Sequence, residues 1–392
     1  MQALFLTHTA PYPPVSGERI RNWSLMRALK EDGWRVSLFS LAGGPPHPEL
    51  AELGDDVLLA NAEPSRITRR RRTLASVARR RAFHATAYLA RETAARLRAW
   101  PPLAAADVLV TSLFMYPYVP RGLRSRTVLD SHNVEARRLA SMSAALGRSP
   151  RGLAARLQVG PVAAFEAEAV RSVARTLAVS EQERRLFEAF APGRVDLVPN
   201  GVDADERRFR PSPAAGHEIL FVGSLDYGAN VDAVRYLVGT VAPHLRTDGA
   251  RITVVGSNPG RAVRTAAARA SLAVDVRGHV PSVEEYFFQA RALAVPIRFG
   301  GGTRLKILEA LARGVPVVTT TIGCEGLDLE PGEDLLVADD PAAFARSLDL
   351  LLADDDLCRR LAARGFQSVR DRYSWTSIGR AFTDALARVP AA

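Results

Sequence analysis

What most constrains this chain is an alternation repeated along almost its whole length: short runs rich in Val, Leu and Ile, separated by longer segments with helical spacing. Candidate strands fall at 3–7, 36–40, 107–112, 127–130, 176–179 and 195–198. A second series follows at 218–222, 251–255, 274–277, 292–296, 315–319 and 334–337. Runs apolar at every position suit strands covered on both faces, as in a parallel sheet. Between them, Ile20, Trp23, Met26 and Leu29 repeat at helical intervals and stop near Gly33. The pattern predicts an α/β chain of two Rossmann-like, doubly wound parallel sheets facing each other across a cleft. A length of 392 residues is too much for one ordinary core and comfortable for two. Pro, Gly and charge collect in VPNGVDADERRFRPSPAAGHE (198–218), which reads as the linker. The expected domains are 1–205 and 206–375, with a C-terminal helix at about 376–392 packing back on the first.

Charge narrows the partners. The net charge is +10, and nearly all the positive residues are arginine, the lysines being Lys30 and Lys306. Residues 66–98 concentrate the excess. There Leu74, Val77, Ala78, Ala82, Ala85 and Leu89 can share one helical face with arginines around the rest. The segment reads either as a solvated helical insertion or as a surface for anionic lipid headgroups or a phosphorylated acceptor. Nucleic acid is disfavoured, because no aromatic platform or recognised module accompanies the arginines. No apolar run reaches the roughly 18–20 residues of a membrane span. The two cysteines, Cys324 and Cys358, lie in no metal-like spacing. A cytoplasmic protein, in peripheral contact with the membrane through 66–98 if at all, is the expectation.

In open α/β sheets, ligands gather where strands end and helices begin. The most specific such stretch is RFGGGTRLKILEALARGVPVVTT (298–320). Gly301 and Gly302 let a ligand approach bare backbone amides, and Thr303 can cap the helix or bond a phosphate oxygen. Arg304 and Lys306 add full charges, so the stretch is a candidate diphosphate cradle. Glu309 lies at the edge of the helix's apolar arc. It reads either as a surface ion pair with Lys306 and Arg313 or as a carboxylate accepting from a ribose diol. In the first half, Gly17 precedes a helix, with Arg19 and Arg21 nearby as weaker acceptor-binding candidates. The segment VLDSHNVEARR (128–138) puts Asp130, His132 and Asn133 at a strand's end. There Asn133 can cap the next helix, with Glu135 in its first turn, and Asp130 can orient His132. His8 is a lesser candidate. No G-x-G-x-x-G follows the first strand, which disfavours a nicotinamide cofactor.

The 298–320 stretch resembles the donor-binding signature of GT-B glycosyltransferases of the retaining family 4 type. VPNGVD (198–203), FVGSLDYGANVDAVRYL (221–237), RGHVPSVEEYF (277–287) and TTIGCEGL (320–327) are similar to that family's landmarks in the same order, closest to exopolysaccharide-type sugar transferases. The resemblance implies a nucleotide-diphosphate sugar as donor and co-substrate, with no separate cofactor, and no essential metal is expected because no Asp-x-Asp stands in a convincing metal-binding context. It implies a small-molecule, glycan or lipid-linked acceptor. It also implies that Glu309 binds the ribose, that backbone at Val280 and Pro281 meets the base, that Gly17 meets the diphosphate or the acceptor, and that His132 contacts a donor-sugar hydroxyl. The sequence departs from the family at two places. Gly301 stands where the family has its first glutamate, and Ser224 with Ala229–Asn230 replaces the usual Arg and Lys. Arg304 and Lys306 are the expected compensation for the latter. Two other readings are a nucleotide-sugar epimerase of the same fold and a non-catalytic nucleotide-sugar-binding protein.

Overall fold

The computed structural model describes residues 1–213, 216–300 and 303–390. The chain divides into two compact units, Met1–Asn200 with Trp375–Ala392, and Gly201–Ser374.

The N-terminal unit is a seven-stranded sheet. Its strands are β1 (Gln2–Thr7), β2 (Arg35–Ser40), β3 (Asp56–Leu59), β4 (Val108–Thr111), β5 (Thr127–Ser131), β6 (Arg175–Ala178) and β7 (Val195–Leu197). They lie in the order β3-β2-β1-β4-β5-β6-β7, and the pairs are parallel. The sequence pattern missed β3, whose four residues are only half-buried because it forms one edge of the sheet. The central strands β1, β4 and β5 are buried almost throughout, as strands with helices on both faces must be. One layer of the core packs Phe5 and Val36 against Leu25, Leu29 and Phe382. The last of these lies on the Trp375–Ala387 helix, which docks on the Gly17–Glu31 helix. The two backbones come close, since a Cβ on Gly379 would sit 2.8 Å from the Ala28 Cβ.

The 66–98 segment is not one amphipathic face. A helix runs Arg66–Ala78, a short 3-10 turn covers Phe83–Ala85, and a second helix covers Arg91–Ala99. Arg80 takes a left-handed conformation (φ 51°) that ends the first helix. Ser76 faces inward through a bond to Thr86 Oγ1, while Leu74 and Ala78 point outward. The expected common face of Leu74 and Ala78 with Ala82 therefore does not form.

The C-terminal unit is a six-stranded sheet. It comprises β8 (Glu218–Val222), β9 (Arg251–Val255), β10 (Ala273–Gly278), β11 (Ala292–Val295), β12 (Val317–Thr319) and β13 (Leu336–Val337). The order is β10-β9-β8-β11-β12-β13, again with parallel pairs. In both sheets the chain winds outward from a central strand and then returns to that strand's other side. The switch points lie between β1 and β4 and between β8 and β11, and crevices at strand carboxyl ends open at such points. Both candidate site clusters sit at those ends.

Candidate active site

In the N-terminal unit the site is assembled from the ends of β1 and β5 and the first turns of the Gly17–Glu31 helix. Asp130 is the penultimate residue of β5 and is 2% exposed. Burial alone would push its carboxyl up, but the Arg21 guanidinium and His132 outweigh it and hold the carboxyl well below its usual range. Arg21 donates from Nε to both carboxylate oxygens (3.0 and 2.9 Å) and from its terminal nitrogen to Oδ1 (2.7 Å). Its other nitrogen donates to Pro199 O (2.8 Å) and Asn200 Oδ1 (3.3 Å). Arg21 is thus turned inward and 1% exposed. It is not available as the acceptor contact expected of it, because a buried carboxylate has claimed its guanidinium. Arg19 stays half-buried on the same helix and Gly17 is exposed at its start.

His132 follows β5 directly, and its Nε2 lies 3.1 Å from Asp130 Oδ2. Burial disfavours the imidazolium, but the charges of Asp130 and Glu18 prevail and raise its pKa. With Nε2 committed to Asp130, Nδ1 is the ring nitrogen left to meet a ligand, and the side chain keeps 21% of its surface open. Glu18, in the first turn of the helix, approaches His8 Nδ1 at 3.0 Å. Burial raises the Glu18 carboxyl, yet His8 and His132 leave it below its usual value. Glu18 carries no signal in the sequence, because an acidic residue in a first helical turn is ordinary.

The loop after His132 is held by two distant carboxylates. The following helix is Glu135–Leu146 with Val134 at the N-cap position, so Asn133 lies outside it and does not cap it as expected. The cap comes instead from Glu166, which accepts from Glu135 N (2.6 Å) and Ala136 N (3.2 Å), and from Glu183, which accepts from Val134 N (3.3 Å). Burial pushes both carboxyls up to about 7, with the backbone bonds opposing it. Glu135 is buried too, but His84 and Arg138 draw it down to about 2.

The C-terminal cluster lies where β8 and β11 end. Lys306, on the Leu305–Ala312 helix, donates from Nζ to Asn230 Oδ1 (2.9 Å) and lies 4.5 Å over the Phe221 ring. Asn230 in turn donates to Ser224 O (2.9 Å), which links three positions that are scattered in sequence. Burial, reinforced by the charge of Arg304, pushes the Lys306 ammonium down to about 7 against the pull of Glu309. Among the described residues it has no ion pair. Gly223 makes room for it, since a Cβ there would lie 2.6 Å from Lys306 Nζ. The Ser224 hydroxyl donates to Asp226 Oδ1 (2.6 Å).

Gly301 and Gly302 lie outside the described residues. Gly300, at φ 117°, would place a Cβ 3.0 Å from the Tyr227 hydroxyl and 3.4 Å from a terminal Arg304 nitrogen. The helix begins at Leu305 with Arg304 at the N-cap position, so Thr303 stands one residue short of the expected capping place. Burial lowers the Arg304 pKa, with Tyr227 and Glu325 opposing it. Glu309 does not form the ion pair offered by its helical spacing. Arg313 donates to its backbone oxygen (2.8 Å), and among the described residues its carboxylate pairs with no cation. Burial raises that carboxyl, with Arg313 and Lys306 acting against it. Val280 follows β10 and packs on the unit's core, with Pro281 exposed beside it.

Residues 16–206 match the model of glycosyltransferase family 4, and residues 216–354 match that of glycosyl transferases group 1. A phosphatidyl-myo-inositol mannosyltransferase from Mycobacterium leprae is 29% identical over 212 residues, which is 52% of this chain and 56% of that protein. The chain thus spans about half the length, or less, of the curated relatives it matches. Among solved structures, the sucrose-phosphate synthase of Thermosynechococcus elongatus is 19% identical with a TM-score of 0.72, over 98% of both chains. Anabaena HepE in complex with UDP and glucose is 14% identical with a TM-score of 0.66, over 99% of both. Two doubly wound parallel-sheet domains, the two tandem family matches and these structural neighbours agree: the chain belongs to the GT-B glycosyltransferases of the family 4 type.

Proposed function

We propose that this protein transfers a hexose from a nucleoside-diphosphate donor to an acceptor hydroxyl, with retention of configuration and without an essential metal. The observation that carries the proposal is Lys306: a half-buried ammonium at a strand-to-helix switch point, held among the described residues by an amide oxygen rather than by a carboxylate. A buried cation is costly unless an anion completes it. A diphosphate settling at the start of the Leu305–Ala312 helix would do so, meeting the positive end of the helix as well. Arg304 and Lys306 then supply the charge that Ser224 and Asn230 do not, at the place where the leaving diphosphate gains charge. Glu309, with no cation on its carboxylate among the described residues, takes the ribose hydroxyls, and backbone near Val280 takes the base. His132, oriented by Asp130, bonds a hydroxyl of the sugar. The leaving phosphate oxygen accepts the acceptor's proton as the new glycosidic bond forms on the face the diphosphate leaves. Gly301, Gly302 and Thr303 complete the phosphate cradle, and Gly17 and Arg19 belong to the diphosphate or acceptor side. The family's sugar chemistry and the UDP and glucose bound in the Anabaena HepE complex support a nucleotide sugar.

The test is calorimetry of UDP and GDP binding in buffers of different ionisation enthalpy, slightly above pH 7. Because Lys306 titrates at about 7, a bound diphosphate recharges it and binding takes up a fraction of a proton. Lys306→Met abolishes the uptake and weakens binding by about 10–100-fold, the worth of one charge-assisted hydrogen bond. Unchanged affinity in that variant refutes the diphosphate site. Turnover of bound nucleotide sugar only when an acceptor is present, and in the presence of chelator, separates transfer from epimerisation and from binding alone.

A further inference from the structure

Two segments of the N-terminal unit contain no Asp or Glu at all. Residues 64–91 carry nine arginines and residues 136–165 carry five. The fold brings the two segments together. Gln158, on the Pro150–Ser172 helix, accepts from Phe83 N (3.0 Å) and donates to Arg81 O (3.1 Å). Some of the arginines are committed inward, Arg69 to the Tyr88 hydroxyl (2.9 Å) and Arg72 to Ala87 O (3.2 Å). Arg70, Arg71 and Arg81 on the first segment, and Arg151 and Arg156 on the second, are exposed.

The same outer faces carry large apolar side chains that a water-facing helix has no use for. Ile67 and Leu74, seven residues apart on the Arg66–Ala78 helix, are 67% and 68% exposed. Leu153 and Leu157, four residues apart on the Pro150–Ser172 helix, are 46% and 61% exposed. Both spacings return a side chain to the same side of its helix. Two helices that interleave exposed leucine with unopposed arginine match the headgroup region of an anionic bilayer, where guanidinium groups meet phosphates and leucines enter the acyl boundary. A soluble polyanion would use the arginines and leave the leucines wet. Among the described residues no helix is long and apolar enough to cross a membrane.

We infer that the outer faces of the Arg66–Ala78 and Pro150–Ser172 helices form one docking surface for an anionic lipid bilayer. The surface is a property of the N-terminal unit and does not depend on the glycosyl-transfer reading.

The test is co-sedimentation of the full chain with phosphatidylcholine vesicles and with vesicles enriched in phosphatidylglycerol. It is run on wild type, Arg70→Glu/Arg71→Glu and Leu74→Ser/Leu157→Ser, with hydrogen exchange at the amides of β1 and β5 as the check that the N-terminal unit of each variant folds. The wild type is expected to bind the phosphatidylglycerol vesicles at least about tenfold more tightly, salt-sensitively. Each double variant is expected to lose about tenfold or more while keeping wild-type exchange protection in β1 and β5. Equal binding to both vesicle types overturns the inference. So does a serine variant that binds phosphatidylglycerol vesicles as wild type does, and matching retention of wild type and serine variant on a soluble polyphosphate would then identify a polyanion site instead.

Discussion

The Arg21–Asp130 pair offers the most direct test of how the N-terminal site is built. Arg21 is 1% exposed and Asp130 2%, and three bonds of 2.7–3.0 Å join them. Two further bonds tie Arg21 to Pro199 and Asn200 at the end of the unit's first segment. Arg21→Met keeps much of the side chain's volume and deletes the charge. Asp130 is then left as a buried carboxylate facing only His132, and removing one partner of a buried pair costs about 3–5 kcal/mol. A domain's whole stability is about 5–15 kcal/mol, so the loss is large for this unit. With two units in one chain, a single melting curve does not isolate the effect. Hydrogen exchange at the amides of β1 and β5 reads the N-terminal unit by itself. A cycle with Asp130→Asn and the double variant separates pairing from lost packing. The expected coupling is about 2–3 kcal/mol, because the double variant buries no lone charge. A coupling below about 0.5 kcal/mol, within the error of additivity, would show that the pair does not hold the site.

Two other perturbations follow from the geometry. Glu166 binds its proton up to about pH 7 in the fold but only to about 4.5 in the unfolded chain, so its contribution is fully present below 4.5 and declines as pH rises towards 7. Glu166→Gln should flatten the N-terminal unit's stability across that window, by up to about 1.4 kcal/mol per pH unit relative to wild type; parallel profiles for the two proteins would argue that Glu166 is ionised throughout. Gly379→Ile forces a side chain into the 2.8 Å approach to the Ala28 Cβ and should destabilise docking of the Trp375–Ala387 helix by about 1–3 kcal/mol. Earlier proteolysis within 375–392 reports it, and wild-type resistance would mean the two helices can move apart without cost.

Much of the fold was legible in the sequence, because a strand buried on both faces has to be apolar at nearly every position. β1, β2, β5 and β8 could be placed within a residue or so on that ground alone. β3 escaped because an edge strand is covered on one side and needs no such run. The arginine-rich segment misled for a related reason. Helical periodicity shows which residues share a side, but not whether the helix continues, and Arg80 ends this one. At the site, the chemistry-bearing types after β5 and β11 could be read off, since ligand positions in α/β sheets follow from topology.

Partnership was another matter. The sequence by itself determined two parallel sheets, the residues at their strand ends and an excess of arginine without nearby acid. The tertiary structure decided what each charge does. Arg21 holds Asp130 across 109 residues, Lys306 leans on Asn230 across 76, and Glu166 caps a helix that begins 31 residues before it. The reason is physical. The burial that makes a strand is a local requirement, met by composition at each position, whereas a buried charge must be matched by whatever the fold brings within about 3 Å, and neither periodicity nor spacing encodes that distance.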